Sequence, residues 1–172
     1  MAGQVFWKGV NGMLDREIAS AMRFLIDSAG NPYAYYYSIP EQFRVPSIYF
    51  PQPNITTHGD TLSTYALEFN WCVAIFDVDT QSAHARAFDV LNALQRVKCV
   101  IPLVDEKGEL TGRGFRIRDP SSRSIDENEK RLILKWRSPR PYHTPPKQII
   151  TERRIRMWVK SSYESAISQI GG

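Results

Sequence analysis

The chain has 172 residues, of which 42% are hydrophobic and 12% aromatic, enough for one domain with a sizeable core and too many for a disordered polymer. No apolar run approaches the roughly 20 residues that span a bilayer, and the opening MAGQVFWKGV lacks the basic, apolar and small-residue succession of a secretion signal, so a cytoplasmic chain without membrane association is expected. The net charge of +4 conceals a division: residues 1–112 hold 8 Lys and Arg against 12 Asp and Glu, and residues 113–172 hold 14 against 6, or −4 followed by +8.

Residues 10–28 place Val10, Leu14, Ile18, Ala21, Met22 and Leu25 three and four apart, with Asp15, Arg16 and Arg23 off that stripe, which predicts an amphipathic helix. Gly30, Asn31 and Pro32 end it. A proline-rich region over 32–53 follows, with five of the eleven prolines and seven aromatic residues. Its centre, VPSIYFPQP, sets Ile48, Tyr49 and Phe50 between prolines, which lack an N–H and push the preceding residue toward an extended conformation. This predicts an arm or edge strand whose aromatic side chains lie on their own domain or on a neighbouring chain.

From Thr64 to Phe76 one parity carries Tyr65, Leu67, Phe69, Trp71, Val73 and Ile75, the alternation of a long half-buried strand. A second amphipathic helix over 80–97 uses Ala83, Ala87, Val90, Leu91, Leu94 and Val97, capped by Asp79 or Thr80. Residues 98–104, a turn at Gly108 and a return through Phe115 and Ile117 read as a hairpin, with Pro102 marking an edge. Residues 120–129 read as polar loop. Beyond them Leu132, Leu134 and Trp136 alternate with Arg131, Ile133, Lys135 and Arg137, a strand with a strongly basic outward face. SPRPYHTPP, 138–146, is a second proline-rich excursion. The tail fits a strand through Ile149, Thr151, Arg153, Ile155, Met157 and Val159, then a short helix capped by Ser161 or Ser162. Together these predict one α+β domain over 1–172, an antiparallel sheet of about 4–5 strands covered by two or three helices.

No catalytic constellation is visible. His58, His84 and His143 fall in unrelated places, and neither a nucleophile elbow nor His-Glu-x-x-His occurs, so no enzymatic activity, cofactor or metal is expected. Asp77 and Asp79 suit a polar strand exit and a helix cap better than a cation site. TGRG at 111–114 lies inside a hairpin, which is the wrong context for a phosphate loop. Cys72 and Cys99 lack Cys-x-x-Cys spacing and read as reduced, packed thiols. RGFRIRD places Arg113, Arg116 and Arg118 around Phe115 like the aromatic strand of an RNA-recognition module, but its alternation turns Phe115 and Ile117 toward the core, which favours a solvated basic face. Arg153, Arg154 and Arg156 form a second basic contact surface in the tail.

As an ordered set, AYYYSIP, VPSIYFPQP, YALEFNWCVAIFD, ALQRVKCVIPLVDEKGELTGRGFRIRDP and LILKWRSPRPY resembles the small tail terminator, or tail completion, proteins of tailed bacteriophages and prophages, over roughly residues 33–142. The resemblance implies an antiparallel sheet covered by helices and a hexameric ring in the virion, at the head-proximal end of the tail. Such a ring caps the tail tube, ends its polymerisation and offers a surface to the head. The implied partners are further copies of the chain, tail tube protein, head–tail connector or neck proteins, and DNA passing through the lumen without sequence-specific binding. The family offers no catalytic residues. In such a ring Tyr49, Phe50 and Tyr142 are the expected subunit contacts, since stiff aromatic arms lose little entropy on docking. A neck or head-completion connector, and a small nucleic-acid-binding module, are the alternative readings.

Overall fold

A computed structural model describes residues 16–105 and 107–143. The chain divides into Met1–Pro141 and Tyr142–Gly172, and every element below belongs to the first unit. The start of the first helix and the expected tail strand and helix lie outside the described residues.

Helix α1 (Arg16–Ser28) buries Ile18, Ala21, Met22 and Leu25 and leaves Arg23 outside, as the spacing of its apolar residues requires. Two bonds close its end: Asn31 N–H donates to the Ile26 carbonyl at 2.9 Å and Gly30 N–H to the Asp27 carbonyl at 3.3 Å. Gly30 sits at φ 78, the left-handed position where a glycine carries no Cβ penalty.

The proline-rich region then departs from the expected arm. It contributes β1 (Tyr33–Tyr36) and β2 (Ser47–Phe50), which pair in parallel, and β2 also pairs with β4 (Thr64–Phe76). Pro46 and Pro51 flank β2 without entering it, so its four residues keep their donors, and Ser47, Ile48 and Tyr49 are paired on both sides. β3 (Asn54–Gly59) continues along the same edge of β4, displaced by one register position across Pro51–Pro53. Its NITTHG sequence carries no apolar alternation, which is why periodicity does not find it.

β4 has the expected limits and is joined to β7 (Glu129–Pro141) by an unbroken register from Thr64↔Pro141 to Phe76↔Glu129. Between them lie α2 (Thr80–Arg96), β5 (Val100–Val104) and β6 (Leu110–Asp126), with the expected turn at Gly108 (φ 84). β5 approaches β6 so closely that a Cβ at Gly114 would lie 2.8 Å from the Ile101 carbonyl oxygen.

Two other expectations are corrected. The polar stretch 120–129 is mostly strand: β6 continues through Asp126 after a register shift between Arg118 and Ser121, where Asp119 takes φ 45. Backbone pairing with β7 holds it extended without apolar alternation. Ser138–Pro141 are also strand, paired with Thr64–Leu67. Pro139 and Pro141 fall beyond Trp136, where β7 pairs with β4 alone, an edge setting that tolerates proline.

Among the described residues the sheet order is β1-β2-β4-β7-β6-β5, with β3 also on β4: seven strands and one parallel pair within an α+β fold. α1 and α2 cover one face of it. There Trp71 and Trp136, 0% and 1% exposed, meet at 6.1 Å, and Phe69 stacks on Trp136 at 4.5 Å with the rings 2° apart. The Trp136 Nε1–H donates to Glu17 at 2.8 Å and the Ser138 hydroxyl to the other oxygen of the same carboxylate at 2.6 Å.

Candidate contact surfaces

Among the described residues no helix lies on the sheet's second face. At its β1–β2 end the proline-rich segment folds over it: Phe43 packs on Phe76 with ring centres 5.0 Å apart, Arg44 N–H donates to the Tyr35 hydroxyl at 3.0 Å, and the Arg44 guanidinium lies 5.7 Å from the Tyr33 ring centre. The aromatic arm therefore lies on its own domain. Phe50 is fully buried between Tyr36 and Trp71, at 5.6 and 5.5 Å, so it is core and not a subunit contact. Alternation inside a four-residue strand turns Ile48 and Phe50 inward and Tyr49 outward. Tyr49 is half-buried and its hydroxyl donates to the Tyr37 carbonyl at 3.4 Å. Burial raises the Tyr36 and Tyr37 phenols above their ordinary pKa. Tyr142 is exposed.

The rest of this face is cationic. Arg116 and Arg118 of β6 project there, because Phe115 and Ile117, which alternate with them, are buried on the helix side, Phe115 against Trp136 at 5.5 Å. That burial removes Phe115 as a base-stacking platform. The register sets Arg118 opposite Lys135 and Arg123 opposite Arg131. Arg131 is held by Glu129 at 2.6 Å, which raises its pKa, and Arg137 by Asp60 at 2.6 Å. Among the described residues no carboxylate forms an ion pair with Arg116, Arg118, Arg123 or Lys135. Arg113 lies beyond Gly114, where the β5–β6 register shifts, and is exposed apart from this row. Arg153, Arg154 and Arg156 lie outside the described residues. The alternation already marks Lys135 as outward; topology alone places it beside Arg118.

The β3–β4 hairpin carries a feature that periodicity does not reveal. Its turn is locked from within: Thr61 Oγ1 accepts from Ser63 N–H at 3.2 Å and Thr64 N–H at 3.1 Å and lies 2.7 Å from the Thr64 hydroxyl, which donates to Asp60 at 3.1 Å. Arg137 anchors Asp60 from β7. From this rigid turn Leu62 projects fully into solvent, and all six residues of β3 are exposed. The opposite sheet edge differs. Pro102 has no N–H, and the Val104 N–H is taken by the Ser20 hydroxyl at 3.0 Å.

The paired carboxylates serve the fold. Asp77, 5% exposed, accepts from Arg86 Nε at 2.8 Å, and Arg86 also donates to the Ala29 carbonyl, tying α2 to the end of α1. Asp79 caps α2 through Ser82 N–H at 2.8 Å and the Ser82 hydroxyl at 2.9 Å, and these bonds lower its pKa. His58 lies 3.7 Å from Glu68, His84 stacks near Phe88, and Cys72 and Cys99 are unpaired thiols. No cluster of three or more potential metal ligands occurs among the described residues.

These features define an α+β protein whose sheet, among the described residues, is covered by helices on one face and is partly open and cationic on the other. The phage-like element PBSX protein XkdJ of Bacillus subtilis (strain 168) is 30% identical over 147 residues, 86% of this chain and all of the relative. The chain belongs to the family of that protein. The uncharacterized protein YqbJ of the same organism is 29% identical over the same lengths. A chain in the virion of a native gene transfer agent particle aligns with 68% of this chain and 84% of its own, at 14% identity and a TM-score of 0.40. No protein-family model matches.

Proposed function

We propose that this chain is a structural protein of a phage-derived particle, and that it closes into a ring of six that caps the tail tube, ends its polymerisation and offers a surface for head joining. The observation that carries this reading is the locked hairpin, which offers Leu62 and the open edge of β3 on one side of a sheet whose other edge is blunted by Pro102 and Ser20. Unlike edges favour heterologous contacts, which form a ring when the rotation between neighbours closes and a filament when it does not. A turn already fixed by its own hydrogen bonds loses little freedom on docking. Membership in the family of a phage-like element protein supports the particle context. Tyr142 and Leu62 are the proposed subunit contacts, while Tyr49 braces the proline-rich segment through the Tyr37 carbonyl.

Light scattering and negative-stain images, of the protein alone and with tail tubes, test this. Rings seated on tube ends, with tube length fixed, are expected. A protein that stays monomeric beside tubes of uncontrolled length overturns the reading, and preferential binding to portal or connector particles replaces it with the neck alternative.

A further inference from the structure

We infer that the open face of β6 and β7 binds the phosphate backbone of duplex DNA without regard to sequence, through Arg116, Arg118, Arg123 and Lys135. The register places Arg118 directly opposite Lys135, and neither has an ion-pair partner among the described residues. Like charges directly opposite in a sheet destabilise it, so this face is arranged at a cost to the isolated fold that a bound polyanion relieves. Arg123 opposite Arg131 repeats the arrangement past the bulge, with Glu129 neutralising Arg131 alone.

The remaining side chains on this face separate nucleic acid from an acidic protein. A protein interface has a desolvated apolar centre with aromatic anchors inside a polar rim. Here the cations surround Ser121, Asn70, the half-buried Cys72 and Ile133, and Glu68, which lies 3.7 Å from His58. No aromatic residue among the described ones stands between them, because Phe76 and Tyr49, on the same face, lie under the proline-rich segment. Long cations with small polar neighbours are the composition of a phosphate-backbone contact. Neighbouring strands set these cations roughly 4.8 Å apart and alternate residues along a strand roughly 6.8 Å apart, a grid on the scale of a duplex backbone. Asp119, next to Arg118, lies at the first register shift, where it takes φ 45, and Asp126, opposite Glu129, lies at the second, beyond Arg123.

The inference stands on the sheet face and does not require the ring. The test measures fluorescence anisotropy of two short duplexes of unrelated sequence with the full-length protein and with Arg118→Glu/Lys135→Glu, alongside poly-glutamate as competitor. Both positions are exposed, and the reversal exchanges one like-charge pair for another, so circular dichroism and melting should match wild type. Wild type should bind both duplexes equally and lose roughly a hundredfold in affinity between about 50 and 200 mM salt, as about four phosphate contacts require. The double variant should lose about two contacts from the salt slope, roughly 0.9 each. Equal binding by the variant, binding insensitive to salt, or poly-glutamate competing as well as DNA overturns the inference. Rings that cap tubes without binding DNA refute this inference alone, and monomers that bind DNA refute the ring alone.

Discussion

Glu17 acts on the largest side chains of the core. Its carboxylate accepts from both the Trp136 indole and the Ser138 hydroxyl, joining the first turn of α1 to β7 over 119 and 121 positions of sequence. Trp136→Ala or Trp71→Ala is expected to destabilise by about 3–5 kcal/mol through the cavity each leaves. Glu17→Ala creates little cavity but strands two donors, so a loss of about 2–4 kcal/mol in denaturant unfolding is expected, with Glu17→Gln retaining part of it. A loss below about 0.5 kcal/mol for Glu17→Ala would show that water satisfies both donors. Asp79 acts at an exposed helix end and through its charge. Its folded pKa is lowered by Ser82, so its contribution is full above the pKa of the unfolded chain and disappears as pH falls through the folded value. The stability difference between wild type and Asp79→Asn should therefore shrink only in the acid range below the ordinary aspartate pKa. A difference that stays constant there would assign the cap to geometry alone.

Among the elements, those with strong periodicity were legible and those held by neighbours were not. β4 is read from Thr64 to Phe76 because one parity is continuously apolar, and α2 because Asp79 precedes a helical stripe. β3 and the outer half of β6 carry no such pattern; only pairing with β4 and β7 makes them strands. β2 misleads for another reason. Its prolines suggest an exposed arm, but they lie at its ends, and pairing with β1 and β4 turns Phe50 into the core. Of the surfaces, Arg116 and Arg118 could be read as outward, whereas the pairing of Arg118 with Lys135, and of Arg123 with Arg131 past the bulge, depends on the β6–β7 register. Phe50→Ala is thus expected to cost about 3–5 kcal/mol in the isolated chain, and to weaken assembly only through that loss. Unchanged unfolding with failed ring closure would restore Phe50 to the interface and contradict its burial.

For the whole molecule, the proposed ring combined with the division into −4 over residues 1–112 and +8 over 113–172 predicts a salt-dependent assembly. Apolar contact through Leu62 and Tyr142 is insensitive to ionic strength, whereas exposed charges are screened beyond about 8–10 Å at physiological salt. Two classes of variant should therefore fail differently. Leu62→Glu places a charge on the rigid hairpin tip, away from the core, and should prevent ring closure at every salt concentration while melting like wild type. Arg153→Glu with Arg154→Glu reverses tail charge and should leave rings intact but impair their stacking or tube capping, most clearly at low salt where the wild-type attraction is strongest. Imaging of wild type and both variants on tail tubes at low and high salt separates them. If Leu62→Glu rings close normally, the hairpin is not the subunit contact. If the double arginine variant caps tubes as wild type does at low salt, the charge division has no part in stacking.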